Sequence, residues 1–200
     1  MATAPEIAEA LDSLATAWLE AAAPIELRPA APRELEAVFR LRYRAVIAEG
    51  WAVPDEFPDG LERSEDDDHA VQVVGLSGPE LAATSRLVLP GDGRRLPAER
   101  FFDVALDPDA RLVELDRIVV APPYRERGHR IFAGLLGQSW RELRARGYEG
   151  LVGIVSEPLL ERYEGLGLRF ARLAPVRPYF GEERFPVLLD ARATAGACGL

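Results

Sequence analysis

The chain has 200 residues, a formal net charge of −9 and a hydrophobic fraction of 48%. That length suits one α/β domain with a full core, and the acidic balance argues against nucleic acid, whose phosphates need a basic face. A single cysteine, Cys198, excludes an internal disulfide and a Cys/Cys zinc site; the absence of lysine removes Schiff-base chemistry; and no apolar run approaches the roughly 20 residues of a membrane span.

Within residues 1–24, Ile7, Leu11, Leu14 and Trp18 recur at helical spacing among alanines. This predicts an N-terminal helix that packs on the domain or joins two copies in a homodimer. Ile25–Arg28 reads as a short strand. Pro32–Glu49 reads as a helix that starts on proline and stops at Gly50. Gly50–His69 is a long polar loop, and loops of such length often cover a site. Its run Glu65-Asp66-Asp67-Asp68-His69 reads as a solvated loop or as carboxylates that hold an acceptor's amine. No second histidine stands at ligand spacing from His69, so no metal is expected.

Val71–Leu76 and Leu81–Leu89 read as strands joined by a turn, and Pro90-Gly91-Asp92-Gly93 is a further turn signal. Arg111–Val120 is an apolar, β-branched strand. After the helix that Gly147 closes come a buried strand, Leu151–Val155, a short helix, Glu157–Glu164, and last strands over Phe170–Val176 and Phe185–Leu189. Residues 25–190 make one domain and 191–200 a flexible tail. Met1–Ile7 has no basic region ahead of an apolar one, which with the lone cysteine predicts a reducing, cytoplasmic setting without membrane contact.

The segment Ile118–Arg130 is the most informative. A strand ends at Pro122-Pro123, since proline cannot donate to a ladder. A loop with Arg125, Arg127, Gly128 and Arg130 follows, and then Ile131, Phe132, Leu135, Leu136, Trp140 and Leu143 repeat at helical spacing. The first amides of a helix lack internal partners, and its dipole favours an anion there. Gly128 permits close backbone approach, and the arginines add permanent charge. The segment therefore reads as a pyrophosphate site or, more plainly, as a surface loop ahead of an amphipathic helix.

These residues resemble the acetyl-CoA-binding motif of the GNAT superfamily of N-acyltransferases, a strand and proline followed by Arg/Gln-x-x-Gly-x-Gly/Ala. Here the motif reads Arg125-Glu126-Arg127-Gly128-His129-Arg130, with Arg130 where a small residue is usual. The resemblance implies an α/β (α+β) fold with a central mixed, mostly antiparallel twisted sheet flanked by helices, its strands splayed near Val120. It implies a donor, acetyl-CoA or a longer acyl-CoA, held by Ile118, Val119 and Val120 and by Arg125, Glu126, Arg127, Gly128, His129 and Arg130. Tyr163-Glu164-Gly165-Leu166 is similar to the family's last motif. That likeness makes Tyr163 a proton donor to the leaving thiolate; the residues alone fit a packed aromatic equally well.

A second series is similar to acyl-homoserine-lactone (autoinducer) synthases, which share that fold: Arg42, Trp51, the acids near Asp67, Arg86-Leu87-Val88-Leu89-Pro90, Phe102, and Glu114-Leu115-Asp116-Arg117. Val46 stands where those enzymes carry phenylalanine, and Trp51 comes one residue early. N-acyl amino acid synthases blend the two patterns. The likeness implies that Arg42, Trp51, Asp67, Arg86, Phe102 and Arg117 bind the acceptor, S-adenosylmethionine or an amino acid, and that acyl carrier protein is a second possible donor. An attacking ammonium must first lose a proton, which makes Glu114 the candidate base; the rival is a structural ion pair with Arg117 or Arg86. The expected activity is N-acyl transfer to a small amine, against a non-catalytic CoA-sensing or interaction module on the same fold.

Overall fold

The computed structural model describes residues 2–91 and 93–199. Asp92 of the predicted 90–93 turn, Met1 and Leu200 lie outside the described residues; Gly91 and Arg94 form an isolated bridge around that turn.

The sheet is built from β1 (Glu26–Pro29), β2 (Ala70–Ser77), β3 (Glu80–Val88), β4 (Leu112–Val120), β5 (Gly150–Val155), β6 (Phe170–Arg172), β7 (Arg177–Tyr179) and β8 (Glu182–Leu189). Its order is β1-β2-β3-β4-β5-β8-β6, with β7 paired to β8 as a hairpin. All neighbours are antiparallel except β4 and β5. The expected mixed, mostly antiparallel sheet is therefore present. The parallel pair has only three rungs, Leu112↔Gly150, Val113↔Leu151 and Glu114↔Val152.

Past Glu114 the two strands part, earlier than the expected opening near Val120. The cause lies in β4 itself. Between Thr84 and Arg86 of β3, β4 runs from Val119 to Asp116, one residue more than its partner, and Arg117 adopts φ +52°. A bulge of this kind bends its strand and raises the local twist, which carries the end of β4 away from β5.

Alternation along β4 divides its side chains between two faces. Val113 and Leu115 meet α4 (Gly128–Ala145), whose Phe132, Leu136, Trp140 and Leu143 are buried in the main core at the predicted spacing. The helix α1 (Ala4–Ala21) lies on α4 and buries Leu11 and Ala15. Close approach depends on glycine: a Cβ on Gly137 would stand 2.6 Å from the Ala15 carbonyl oxygen, and one on Gly134 2.6 Å from the Ala22 Cβ. The Trp140 indole also donates to Asp12 at 2.7 Å.

The opposite face carries Glu114 and Asp116, covered by α2 (Leu35–Ala48), a 3₁₀ segment over Glu65–His69 and α3 (Pro97–Phe102). The predicted helix Pro32–Glu49 begins as a 3₁₀ turn, Pro32–Glu34. α5 (Glu157–Gly165) matches its prediction closely. Strand is absent from 173–176, and the hairpin strand β7 follows instead. The expected flexible tail begins as a helix, α6 (Ala191–Ala197): Asp190 caps it, and buried Thr194 accepts from the Arg169 amide at 2.9 Å.

Candidate active site

The parted strands define the site. Beyond Glu114, β4 has no strand partner on its β5 side among the described residues, while Val119 and Val120 pair with Thr84 and Ala83 of β3. Ile118 and Val120 pack their side chains against Ile131 and Leu135 and so offer mainly backbone, whereas Val119 lines the groove described next. Next to them lies a groove of about 540 Å³ between α2 and the end of β4, lined by Leu41, Arg44, Val119, Val120, Tyr124 and Arg125 among others.

The turn after Pro123 is tighter than expected. Residues Pro122–Arg127 form a 3₁₀ helix that runs straight into α4. The Tyr124 amide donates to Ala121 at 2.9 Å and the Gly128 amide to Arg125. These two nitrogens, expected to be unpaired, already have protein partners, because the 3₁₀ turn closes bonds that an open loop would leave free. Gly128 itself is buried, whereas Arg125, Glu126, Arg127, His129 and Arg130 are all exposed. Arg125 lies 3.7 Å from Glu49.

Four of the predicted acceptor residues come together on the other face in a buried charge network. Arg42 of α2 bonds Asp67 through both terminal nitrogens at 2.7 and 3.1 Å, and its Nε contacts Glu62. Arg86 of β3 grips Asp116 bidentately at 2.8 and 2.7 Å and reaches Ser64 at 2.9 Å and Asp67 at 3.1 Å. Arg117 donates to Glu62 at 3.0 Å and lies 3.6 Å from Asp116. Three guanidinium groups thus meet three carboxylates, so each buried charge has a counterpart.

Burial alone would raise the Asp67 pKa, but Arg42 and Arg86 hold it at about 2. Asp67 is spent on these partners rather than waiting for an amine. The neighbouring acids are tied as well: Asp66 and Glu65 accept from Arg100 at 2.6 to 2.8 Å. Of the acidic run, Asp68 is the exposed carboxylate outside these pairs; Glu65 is also exposed, so the segment keeps a solvated face while arginines tie Asp66 and Asp67.

Glu114 differs from every acid around it. It is fully buried on the last rung before the strands part. One carboxyl oxygen accepts from the Ala98 amide at 2.8 Å, and the other has no partner among the described residues. Neither arginine of the rival ion pair bonds to it: Arg86 is taken by Asp116 and Arg117 by Glu62. Burial first, and then the charge of Asp116, push its pKa up to about 8.

An aromatic wall flanks the network. Phe102 packs in a buried cluster with Ala98, Val152 and Ile154, and Tyr179 lies 5.9 Å from it. Trp51 lies against the β7–β8 turn, where a Cβ on Gly181 would come within 2.5 Å of its backbone. Arg117 sits over the Phe180 ring at 4.2 Å. Tyr163 is buried between Phe132 and Phe170, at ring distances of 5.5 and 5.2 Å, and burial raises its phenol above the ordinary range. It lines an apolar cavity of about 30 Å³ with Leu115, Leu136, Trp140, Leu151 and Trp18. That setting fits the packed-aromatic reading.

Sequence reasoning missed Glu62, Asp116, Tyr179 and Phe180. Asp116 had a signal: it stands two residues from Glu114 on a strand and so shares its face. Glu62 had none, since its role depends on a loop crossing two strands. Among the described residues no cluster of three or more His, Cys, Asp or Glu could hold a metal, and no helix is long and apolar enough to cross a membrane.

Residues 37–191 match a family model described as N-acyl amino acid synthase FeeM. Solved structures with the same fold include TofI, in a ternary complex with an inhibitor and MTA, at 22% identity, TM-score 0.68, covering 88% of this chain and 96% of that one. BjaI, a CoA-dependent acyl-homoserine lactone synthase solved with SAM and isopentyl-CoA, shares 19% identity at TM-score 0.65, covering 87% and 86%. FeeM, an N-acyl amino acid synthase from uncultured soil microbes, shares 18% identity at TM-score 0.66, covering 85% and 94%. No curated protein sequence matches.

Proposed function

Because this chain belongs to the FeeM family of N-acyl amino acid synthases, we propose that it moves an acyl group from a CoA or carrier-protein thioester directly to the amine of a small molecule. The observation that carries the chemistry is Glu114, a buried carboxyl with one oxygen unpartnered among the described residues, where β4 leaves β5. A group with a pKa of about 8 is well matched to taking a proton from an ammonium near neutral pH.

The freed amine attacks the thioester carbonyl. A C–N bond forms, the C–S bond breaks, and one of the amine's two remaining protons passes to the departing thiolate while the other stays on the amide nitrogen. The products are an amide and a thiol. Peptide groups of β4 past Glu114, left without β5 partners, are suited to align the thioester and its oxyanion. The groove at Val119 and Val120 would take the donor's pantetheine arm, with its phosphates near Gly128 and the exposed Arg125, Arg127 and Arg130. The apolar cavity beside Leu115 has room for about two water-sized groups, which favours a short acyl tail unless Trp18 and Leu14 move.

Arg42, Asp67, Arg86 and Arg117 support this reading as positioning residues that fix the face on which the acceptor lands. Their convergence also keeps a second reading in play, in which S-adenosylmethionine is the acceptor. Thiol release from acetyl-, octanoyl- and longer acyl-CoA, and from acyl carrier protein, measured with amino acids and with S-adenosylmethionine, tests both. No release with any donor overturns acyl transfer and favours a non-catalytic CoA-sensing module.

A further inference from the structure

Arg184 is a guanidinium near this site that the charge network does not use. It follows the β7–β8 turn, and its neighbour Phe185 pairs with Val155, the last residue of β5. Arg184 therefore stands at the mouth of the parted strands. Its side chain is only 11% exposed, yet its Nε has no hydrogen-bond partner among the described residues. Its one ion-pair contact there is Glu182 at 2.9 Å, a carboxylate 34% exposed. Arg42 and Arg86, by contrast, are closed by carboxylates at most 10% exposed.

The guanidinium is held by rings. It lies 4.6 Å over Trp51 and 5.9 Å from the Phe180 centroid, and Phe180 also carries Arg117 at 4.2 Å. Phe180 and Gly181 form a two-residue turn with φ of +48° and +81°, and a phenylalanine rarely adopts such a conformation. The strained turn sets Phe180 between the two arginines. A guanidinium packed by its faces presents its edge, here to Glu182, and that edge matches a carboxylate bidentately.

We propose that Arg184, seated between Trp51 and Phe180, binds the carboxylate of the acceptor and so selects amines that also carry an acid group. The proposal rests on the acyl-transfer reading and adds the residue that would enforce acceptor choice. Glu182 pairs with Arg184 and yields to the substrate, because a partly exposed partner is held weakly.

The test compares L-leucine and L-tyrosine with their amides, using acetyl- and octanoyl-CoA and the full chain. The wild type should favour the acids. Arg184→Met should raise KM for the acids about 10- to 100-fold, change that for the amides far less, and so erase the preference. Glu182→Gln should raise the acid-to-amide ratio several-fold and stands in should Arg184→Met fail to fold. In parallel, N-octanoyl-L-leucine should raise the Tm of the wild type more than its amide does, and Arg184→Met should lose that difference. Equal use of acids and amides by the wild type overturns the proposal, as does a preference that survives Arg184→Met or is unmoved by Glu182→Gln. If no amine is acylated, acyl transfer fails instead, and the Tm comparison alone decides whether Arg184 binds carboxylate.

Discussion

Replacing Glu114 with glutamine keeps the side chain's shape and the Ala98 contact while deleting its proton equilibrium. In the native state burial and Asp116 push this carboxyl from 4.5 up to about 8. Between those values the folded protein retains a proton that the unfolded chain has lost. The native state binds more protons, so stability is full below about pH 4.5 and falls as pH rises through about 8. One pKa unit is about 1.4 kcal/mol, so between about pH 5 and about pH 8.5 the wild type should lose on the order of 4 kcal/mol through this group, and Glu114→Gln none of it. Urea unfolding of both proteins at stepped pH reads the difference directly. The substitution should also lower kcat/KM by about 10²- to 10⁴-fold, and the wild-type rate should climb as Glu114 ionises near pH 8. Parallel stability curves, or a variant of undiminished rate, would refute both the burial argument and the assignment of the base.

Arg42→Met leaves Glu62 and Asp67 buried without their main counter-charge and should cost about 3–5 kcal/mol in urea unfolding. Gly181→Ala combines φ +81° with a Cβ that collides with Trp51, so a loss of about 1–3 kcal/mol is expected in thermal unfolding, with a change in tryptophan fluorescence. Tyr163→Phe should keep kcat within about twofold, because the ring packs and the phenol is a poor acid; a loss beyond about tenfold in a folded variant would reinstate it as proton donor.

The sequence made the local features legible. The spacing of Ile131 to Leu143 marked α4, and the β-branched run before Pro122 marked β4, because periodicity reports burial directly. Arg42, Asp67, Arg86 and Arg117, grouped by the resemblance to lactone synthases, meet in one charge network. What they do there was hidden. Whether Asp67 faces an incoming amine or two arginines depends on where α2, β3 and β4 cross, and the extra residue at Arg117 alters which side chains share a face. A single residue of slip exchanges the faces of a strand, and nothing local announces it. The Ala191–Ala197 helix escaped notice for a related reason: its Gly/Ala composition looks unstructured until Thr194 finds Arg169. The 3₁₀ turn at Pro122 was hidden too, since two prolines signal an end without saying how the backbone closes.

Three rungs between β4 and β5 are a slender seam for a sheet of eight strands. On either side of it the strands are firmly laddered, so the molecule resembles two leaves stitched along a short spine, with α1 and α4 lying across the back. Prying the leaves slightly wider sacrifices few bonds, whereas a thioester laid into the gap would bridge both. Amide hydrogen exchange along Leu115–Val120 and Gly153–Val155 should therefore slow when donor is added, while the outer strands β1 and β6 keep their own rates.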